Sequence, residues 1–199
     1  WVLRAVRNLY PDWETFLDDQ SVEDSIARAR AMLEAASDMQ LSVEGGKLKV
    51  RVINESGHKL PSGYPEGRRM WINVRFLDAE GNLVAERGAY DLGTAELDPS
   101  GTKVYEAKLG LDAAAAALTG KPEGPGFHFV LNNKWYKDNR IPPRGFTNAA
   151  FEEIQAEPVA YTYADGQHWD DTLYDVPAAA RSAEVRVYYQ TTSKERVFA

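Results

Sequence analysis

The stretch MQLSVEGGKLKVRV, residues 39–52, alternates apolar and polar residues on both sides of a glycine pair. Alternation with a period of two is typical of a strand with one buried face. Gly45 and Gly46 tolerate the positive φ angles of a tight hairpin turn. The stretch therefore predicts a β-hairpin, and it marks the point where the chain changes from helical to strand periodicity.

Similar alternation continues downstream of the hairpin. Ile72, Val74 and Phe76 predict the next inward-facing strand, and an alanine-rich run between Asp112 and Gly120 predicts one short helix. About seven strands separated by turn residues are typical of a mainly β, antiparallel β-sandwich, either Ig-like or jelly-roll-like. The remaining predicted strands start or lie at residues 83–84, 103–109, 126–131, 159–163 and 184–190.

Residues 1–38 predict an N-terminal helical segment in front of a β-sandwich domain at residues 39–199. Ser21 is the predicted N-cap of the longer helix, since apolar residues follow it at helical spacing. Residues 1–10 predict a second helix that ends near Pro11. This short helix carries more apolar residues than a free terminus needs, so we expect it to pack against another surface, inside or outside this chain.

Composition excludes several classes of function. The 199 residues are 44% hydrophobic and carry a net charge of -7, which argues against a nucleic-acid partner. No apolar run reaches the roughly 20 residues of a transmembrane helix. The absence of cysteine removes disulfides, thiolate zinc sites and covalent attachment of c-type haem. We expect a mature fragment or an excised domain, and the absence of cysteine fits an exported protein as well as a cytosolic one.

Three loops hold more polar, charged and aromatic residues than packing requires. They cover residues 54–69, 132–146 and 163–171. Loops of this kind on a β scaffold are where binding sites are usually found. No GxSxG motif or Ser-His-Asp order is present, so the sequence favours a binding or docking domain over an enzyme.

The strings GHKLPSGYPEGRRMW (57–71), NNKWYKDNRIPPRGF (132–146), YADGQ (163–167) and VYYQTTSKE (187–195) carry a resemblance. Together they resemble the cysteine-free C-terminal β region of bacterial multihaem c-type cytochromes, over about residues 39–196. The resemblance implies export to the periplasm or cell exterior, haem c in an upstream region or a partner, and a context of electron transfer. The role of the β region itself does not follow from the resemblance. Our leading hypothesis is an accessory or docking domain that contacts a haem-bearing domain or subunit and a redox partner protein.

His58 is the leading candidate for a cofactor contact in this setting. Its imidazole is suited to be an axial ligand to a haem held by another segment or subunit. Gly57 allows a close backbone approach, and Pro61 stiffens the end of the loop. The alternative interpretation is structural, with the imidazole bonded to a loop carbonyl group.

Arg68, Arg69, Arg140 and Arg144 lie in two of the three loops of an acidic protein. Adjacent loops would let them bind carboxylates, such as haem propionates, through bidentate hydrogen bonds. The alternative is that they connect the loops to acidic residues of the same domain.

Metal binding without haem is a further hypothesis. Asp165, Asp170 and Asp171 are calcium candidates, although their run does not match an EF-hand and aspartate is also an ordinary turn residue. His58, His128 and His168 together would suit zinc or copper in a metal-dependent enzyme, but they form no recognised spacing motif. An alternating strand at 126–131 would point His128 away from the core.

The second function class is a carbohydrate- or surface-binding β-sandwich module, for which calcium dependence is one of two options. Aromatic rings beside Asp, Asn and Gln side chains bind sugars by stacking and hydrogen bonding, whereas the alternative is that the rings close the ends of the sandwich. The aromatic candidates in or near the loops are Trp135, Tyr136, Tyr161, Tyr163, Trp169 and Tyr174.

Overall fold

A computed structural model describes residues 2–10, 12–63 and 65–197 of the chain. Trp1, Pro11 and Tyr64, which belong to segments discussed above, lie outside the described residues, as do residues 198–199. Helices α1 (Val2–Leu9), α2 (Asp12–Thr15) and α3 (Asp19–Ala35) precede the first strand.

The long helix α3 begins earlier than the sequence predicts. Asp18 is its N-cap, because the carboxylate accepts a hydrogen bond from the Ser21 backbone N–H at 2.6 Å. The prediction of Ser21 as the cap is wrong, since Ser21 already lies inside the first turn. Val22 is the buried residue of this helix, which therefore contributes little to a hydrophobic core.

Eleven strands follow among the described residues, all paired antiparallel. The strands and later helices are β1 (Ser37–Glu44), β2 (Lys47–Asn54), β3 (Arg69–Leu77), β4 (Leu83–Arg87), β5 (Tyr90–Asp91), β6 (Glu96–Leu97), β7 (Val104–Leu111), α4 (Ala113–Thr119), β8 (Gly124–Pro125), β9 (Lys134–Asp138), α5 (Asn148–Glu153), β10 (Trp169–Asp175), β11 (Ser182–Gln190) and α6 (Lys194–Val197).

Two main sheets form the body of the protein. The first has the order β1-β2-β10, and the second has the order β11-β3-β7-β8 with β4 on β3 and β9 on β7. Strands β5 and β6 form a small separate pair. The predicted mainly β, sandwich-like fold with an N-terminal helical segment is confirmed. The N-terminal helices end at Ala35 and β1 begins at Ser37, whereas the division into two units at residue 39 stays a prediction.

The core fills the space between the sheets. Val50 and Val52 of β2 and Ile72 and Val74 of β3 are fully buried in one cluster, joined by Tyr105 of β7. Burial of each such side chain stabilises the fold by about 1.5–3 kcal/mol. Most members of the buried cluster come from β2 and β3, so these two strands supply most of this stabilisation. The predicted hairpin and the predicted inward face of residues 72–76 are confirmed.

Two predicted strands are wrong. Residues 126–131 form turns in which the backbone N–H groups of Leu131 and Asn132 both donate to the His128 carbonyl. These local hydrogen bonds belong to a turn and not to a β-ladder. His128 therefore lies in a turn, and its side chain is exposed. Val159 makes a single bridge to Asp138, and residues 159–163 do not form a strand. The predicted short helix is confirmed as α4, capped by Asp112 and ended by Gly120 in the left-handed conformation.

Gly110 lies where β7 and β8 approach most closely. A Cβ atom added at this position would overlap the carbonyl group of Gly124 and lie 2.8 Å from Pro125 Cα. We predict that Gly110→Ala lowers the free energy of unfolding by about 1–3 kcal/mol, because the strands must move apart. Urea denaturation measures the change. Gly126→Ala is the control, since a Cβ there meets no atom within 4 Å; equal stabilities would contradict the account.

Candidate functional site around His58

Asn54, the last residue of β2, organises the loop that carries His58. Its side chain is completely buried, and Nδ2 lies 2.6 Å from the His58 carbonyl, 2.9 Å from that of Ile141 and 3.0 Å from that of Pro142. Its Oδ1 accepts hydrogen bonds from the backbone N–H and the hydroxyl of Ser56. One amide group therefore joins the loop after β2 to the segment after β9.

Lys59 fixes the next position of the loop through a buried ion pair. Its Nζ lies 2.7 Å from Asp138 Oδ2, and the two side chains are only 7% and 3% exposed. Arg140 binds the same carboxylate through Nε at 2.8 Å and Nη2 at 2.7 Å. Two cations thus share one buried acid at the end of β9.

The pKa values of the pair reflect this arrangement. Burial alone would raise the pKa of Asp138, but the hydrogen bonds and charges of Arg140 and Lys59 outweigh it and lower the pKa. Burial lowers the pKa of Lys59, and Asp138 opposes that shift. The ionised carboxylate is therefore the form that the fold stabilises.

Backbone pairing completes the anchoring. The Leu60 N–H donates to the Ile141 carbonyl and the Ile141 N–H donates to the Leu60 carbonyl, each at 2.9 Å. Both side chains are buried. The residues on the C-terminal side of His58 are therefore held in the core.

His58 itself points in the opposite direction. Its side chain is exposed, and its imidazole makes no hydrogen bond within the described residues. An exposed imidazole on an anchored backbone has a free ring nitrogen, and such a nitrogen can coordinate a metal. The structural interpretation, in which the ring bonds a loop carbonyl, is not the arrangement found.

The four candidate arginines are divided between two places. Arg140 binds Asp138, and the exposed Arg144 binds both oxygens of Glu55 at 2.9 and 2.7 Å. These contacts match the alternative in which arginines connect loops to acids of the same domain. Arg68 and Arg69 line a different pocket, to which neither Arg140 nor Arg144 contributes.

The three aspartates that are calcium candidates have separate partners. Asp165 accepts hydrogen bonds from the backbone and side chain of Asn148, and Asp171 binds Arg51 through both carboxylate oxygens. Asp170 is buried between the sheets. No group of three His, Asp or Glu side chains in the described ranges is placed to hold a metal ion.

Asp170 is a polar bridge that the sequence did not indicate. It accepts hydrogen bonds from Tyr161 at 2.6 Å and Tyr105 at 3.0 Å, and Lys103 lies 2.9 Å away. Burial is the main cause that raises the pKa of Tyr161, followed by its bond to Asp170. The bridge connects β10 of one sheet to β7 of the other. The partners of Asp170 lie at least nine positions away in the sequence, so no local pattern identifies the bridge.

The loop aromatics do not form an open platform for a sugar. Tyr163 and Tyr174 are buried. Cations of the same chain lie over four of the other rings, and the pairs are Arg140 over Trp135, Lys134 over Tyr136, Lys103 over Tyr161 and Arg51 over Trp169. His168 packs edge-on against Trp169 and its Nδ1 lies 3.2 Å from the Gly166 carbonyl.

The N-terminal helices carry a second exposed feature. No residue of α1 is buried, and Leu9, Trp13 and Phe16 are 75%, 72% and 87% exposed. The exposed ion pair of Arg4 with Glu23 and the ion pair of the partly buried Arg7 with Asp19 connect α1 to α3. Ion pairs near the surface contribute little to the free energy of folding. Helices are usually stabilised by packing of an apolar face, and α1 has no buried residue to supply that packing. None of the described helices is long and apolar enough to cross a bilayer.

We predict that Asp138→Asn lowers the free energy of unfolding by about 3–5 kcal/mol, because it leaves the buried Lys59 and the partly buried Arg140 without their anion. Lys59→Met should cost less, since Arg140 still neutralises Asp138. Urea denaturation measures both variants. Arg144→Gln is the control for an exposed pair and should cost at most about 1 kcal/mol.

The pH dependence gives an independent check. A carboxylate with a lowered folded-state pKa stabilises the fold fully above its unfolded-state pKa of 3.8, and this stabilisation is lost as the pH falls through the folded value. The stability difference between the wild type and Asp138→Asn should therefore narrow only below about pH 4. A difference that stays constant into strong acid would contradict the ion-pair account.

A solved structure similar to this chain is a penta-heme cytochrome c552 from Thermochromatium tepidum. The likeness has a TM-score of 0.48 and 16% sequence identity, and it covers 84% of this chain and 35% of the cytochrome. This chain thus spans about a third of that protein. No family model matches the chain, and no curated protein matches it. At this level of likeness the function must be argued from the chain's own residues.

Proposed function

We propose that this chain is an accessory β domain that docks onto a haem-bearing domain or subunit of an exported multihaem cytochrome. It carries no covalent haem, because it has no cysteine. Its role is to cover part of a haem against water and to offer His58 as the axial ligand. Electron transfer then occurs between haems of the partner and a redox protein in the periplasm or outside the cell.

The position of His58 is the observation that carries this proposal. Its imidazole is free and exposed, whereas Asn54, Lys59 and Leu60 hold the adjacent backbone in the core. A preorganised ligand loses less conformational entropy on binding than a mobile one. This arrangement suits coordination of a metal supplied by a partner, because a purely structural histidine would be bonded within its own domain.

The apolar surface of the N-terminal helices supports docking. Leu9, Trp13 and Phe16 expose large side chains that need cover, and aromatic residues of this kind are enriched in protein interfaces. The helix that follows these exposed residues, α3, has a single buried side chain, that of Val22. A partner that covers this surface would supply the core that the helices lack.

Replacing His58 tests the ligand assignment directly. In the protein isolated with its haem-bearing partner, we predict that His58→Ala converts one haem from low spin to high spin in the oxidised absorption spectrum. Loss of one axial ligand also shifts the reduction potential of that haem. His128→Ala is the matched control, because His128 is also exposed but lies in a turn of different geometry.

Spectra and reduction potentials that are the same in His58→Ala and the parent would refute the ligand role. Urea denaturation of the variant is expected to match the parent, since the removed side chain makes no hydrogen bond in the described part of the chain. Loss of the ligand is thereby separated from loss of the fold.

The helical surface has its own test. We predict that the double variant Trp13→Ser with Phe16→Ser binds the haem-bearing partner at least 10-fold more weakly, because burial of each ring contributes roughly 1.5–3 kcal/mol. Co-elution of haem absorbance in size-exclusion chromatography measures binding. Leu92→Ser is the control, since Leu92 is 90% exposed on the loop between β5 and β6; equal loss in both variants would argue against a specific surface.

A further inference from the structure

Arg68 and Arg69 line a pocket of about 220 Å³ near the start of β3. Its walls come from the loop before β3, from β7, from the turn after β8 and from the segment before α6. The other polar groups of this pocket are Glu66, Glu106, Lys108, Ser193 and Glu195. It is smaller than the 300–1,000 Å³ of drug-sized ligand sites, so it suits a small molecule.

The guanidinium of Arg69 is buried without a close anionic partner. Its side chain is 9% exposed, and Nε donates to Gln190 Oε1 at 2.7 Å. Nη1 lies 3.6 Å from Glu195 Oε1, which is beyond hydrogen-bond distance. Nη2 is enclosed and has no acceptor within the described residues. A buried donor left without an acceptor destabilises the folded protein, so an incoming acceptor would be stabilised there.

Other arginines of the chain are neutralised more closely. Arg51, Arg140 and Arg144 each have a nitrogen within 2.7 Å of a carboxylate oxygen, and all three are more exposed than Arg69. Glu195, the nearest acid to Arg69, is itself 63% exposed and lies on a short C-terminal helix. The most buried of these guanidinium groups therefore has the weakest charge compensation.

The other acidic residues of the pocket do not neutralise the charge of Arg69. Glu106 is bound by Lys137 at 2.9 Å and by Lys108 at 3.2 Å, and Glu66 accepts a hydrogen bond from Asn132. Arg68 donates to the Ser62 carbonyl and has no carboxylate partner within the described ranges. Arg68 and Arg69 thus line the pocket, and neither has a carboxylate within hydrogen-bond distance in the described residues.

The rest of the wall is apolar. Ala107 and Leu109 of β7, together with Pro125 and Phe127, line it with apolar surface. A pocket lined by two arginines and by apolar side chains fits a ligand that has one acidic group and a small hydrophobic body.

We propose that this pocket binds a small monocarboxylate with an apolar body. The ligand carboxylate takes the place of Glu195 beside Arg69, and its body packs against Leu109 and Phe127. Paired N–H donors of a guanidinium match the two oxygens of a carboxylate. This site is separate from His58, so the inference does not depend on the proposed docking function.

Titration of the isotope-labelled chain with sodium benzoate and sodium acetate, against sodium chloride at equal ionic strength, tests the proposal. Saturable NMR shifts of the Arg69 Nε–H group and of the backbone at residues 106–109 are expected. Benzamide, the neutral analogue, should not bind. Arg69→Gln should weaken benzoate binding about 10- to 100-fold, the loss expected for one charge-assisted interaction.

Two variants keep the test valid even when Arg69→Gln fails to fold. Glu195→Gln removes the competing carboxylate from an exposed position and should tighten benzoate binding. Phe127→Ala should weaken benzoate and leave acetate unchanged, whereas Arg144→Gln should change neither. Absence of saturable carboxylate binding, equal binding of benzamide, or weaker binding in Glu195→Gln would overturn the proposal.

Discussion

The buried ion pair between Lys59 and Asp138 is the constraint on which the candidate site depends. It connects the loop after β2 to the end of β9, residues 79 positions apart in the sequence. Because both charges are almost fully enclosed, neither loop can move away without exposing or orphaning a charge. The adjacent residue, His58, is the one whose side chain is left outside this anchored structure.

Much of the fold was predictable, because local patterns determine it. Residues 39–52 combine alternating apolar residues with a glycine pair, and Asp112 and Gly120 mark both ends of α4. Strand β10 was missed because Asp170 occupies one of its buried positions. An acid is accepted there only because Tyr105, Tyr161 and Lys103 from distant segments bind it, and such long-range compensation is invisible in a local pattern.

The candidate site was predictable in residue type more than in arrangement. His58 was singled out for its chemistry, but its exposure follows from contacts of Asn54 and Lys59 with the segment at 138–142. The four arginines looked alike in the sequence, yet Arg140 and Arg144 bind acids of their own domain while Arg69 is buried without a close one. Pairing partners, which depend on the whole fold, decide between these roles.

A structure of this chain bound to its haem-bearing partner is the most direct test of the central claim. The account predicts that a ring nitrogen of His58 lies within bonding distance of a haem iron, with the Lys59–Asp138 contact unchanged. A structure in which His58 remains in solvent and every haem takes its axial ligands from the partner alone would contradict it.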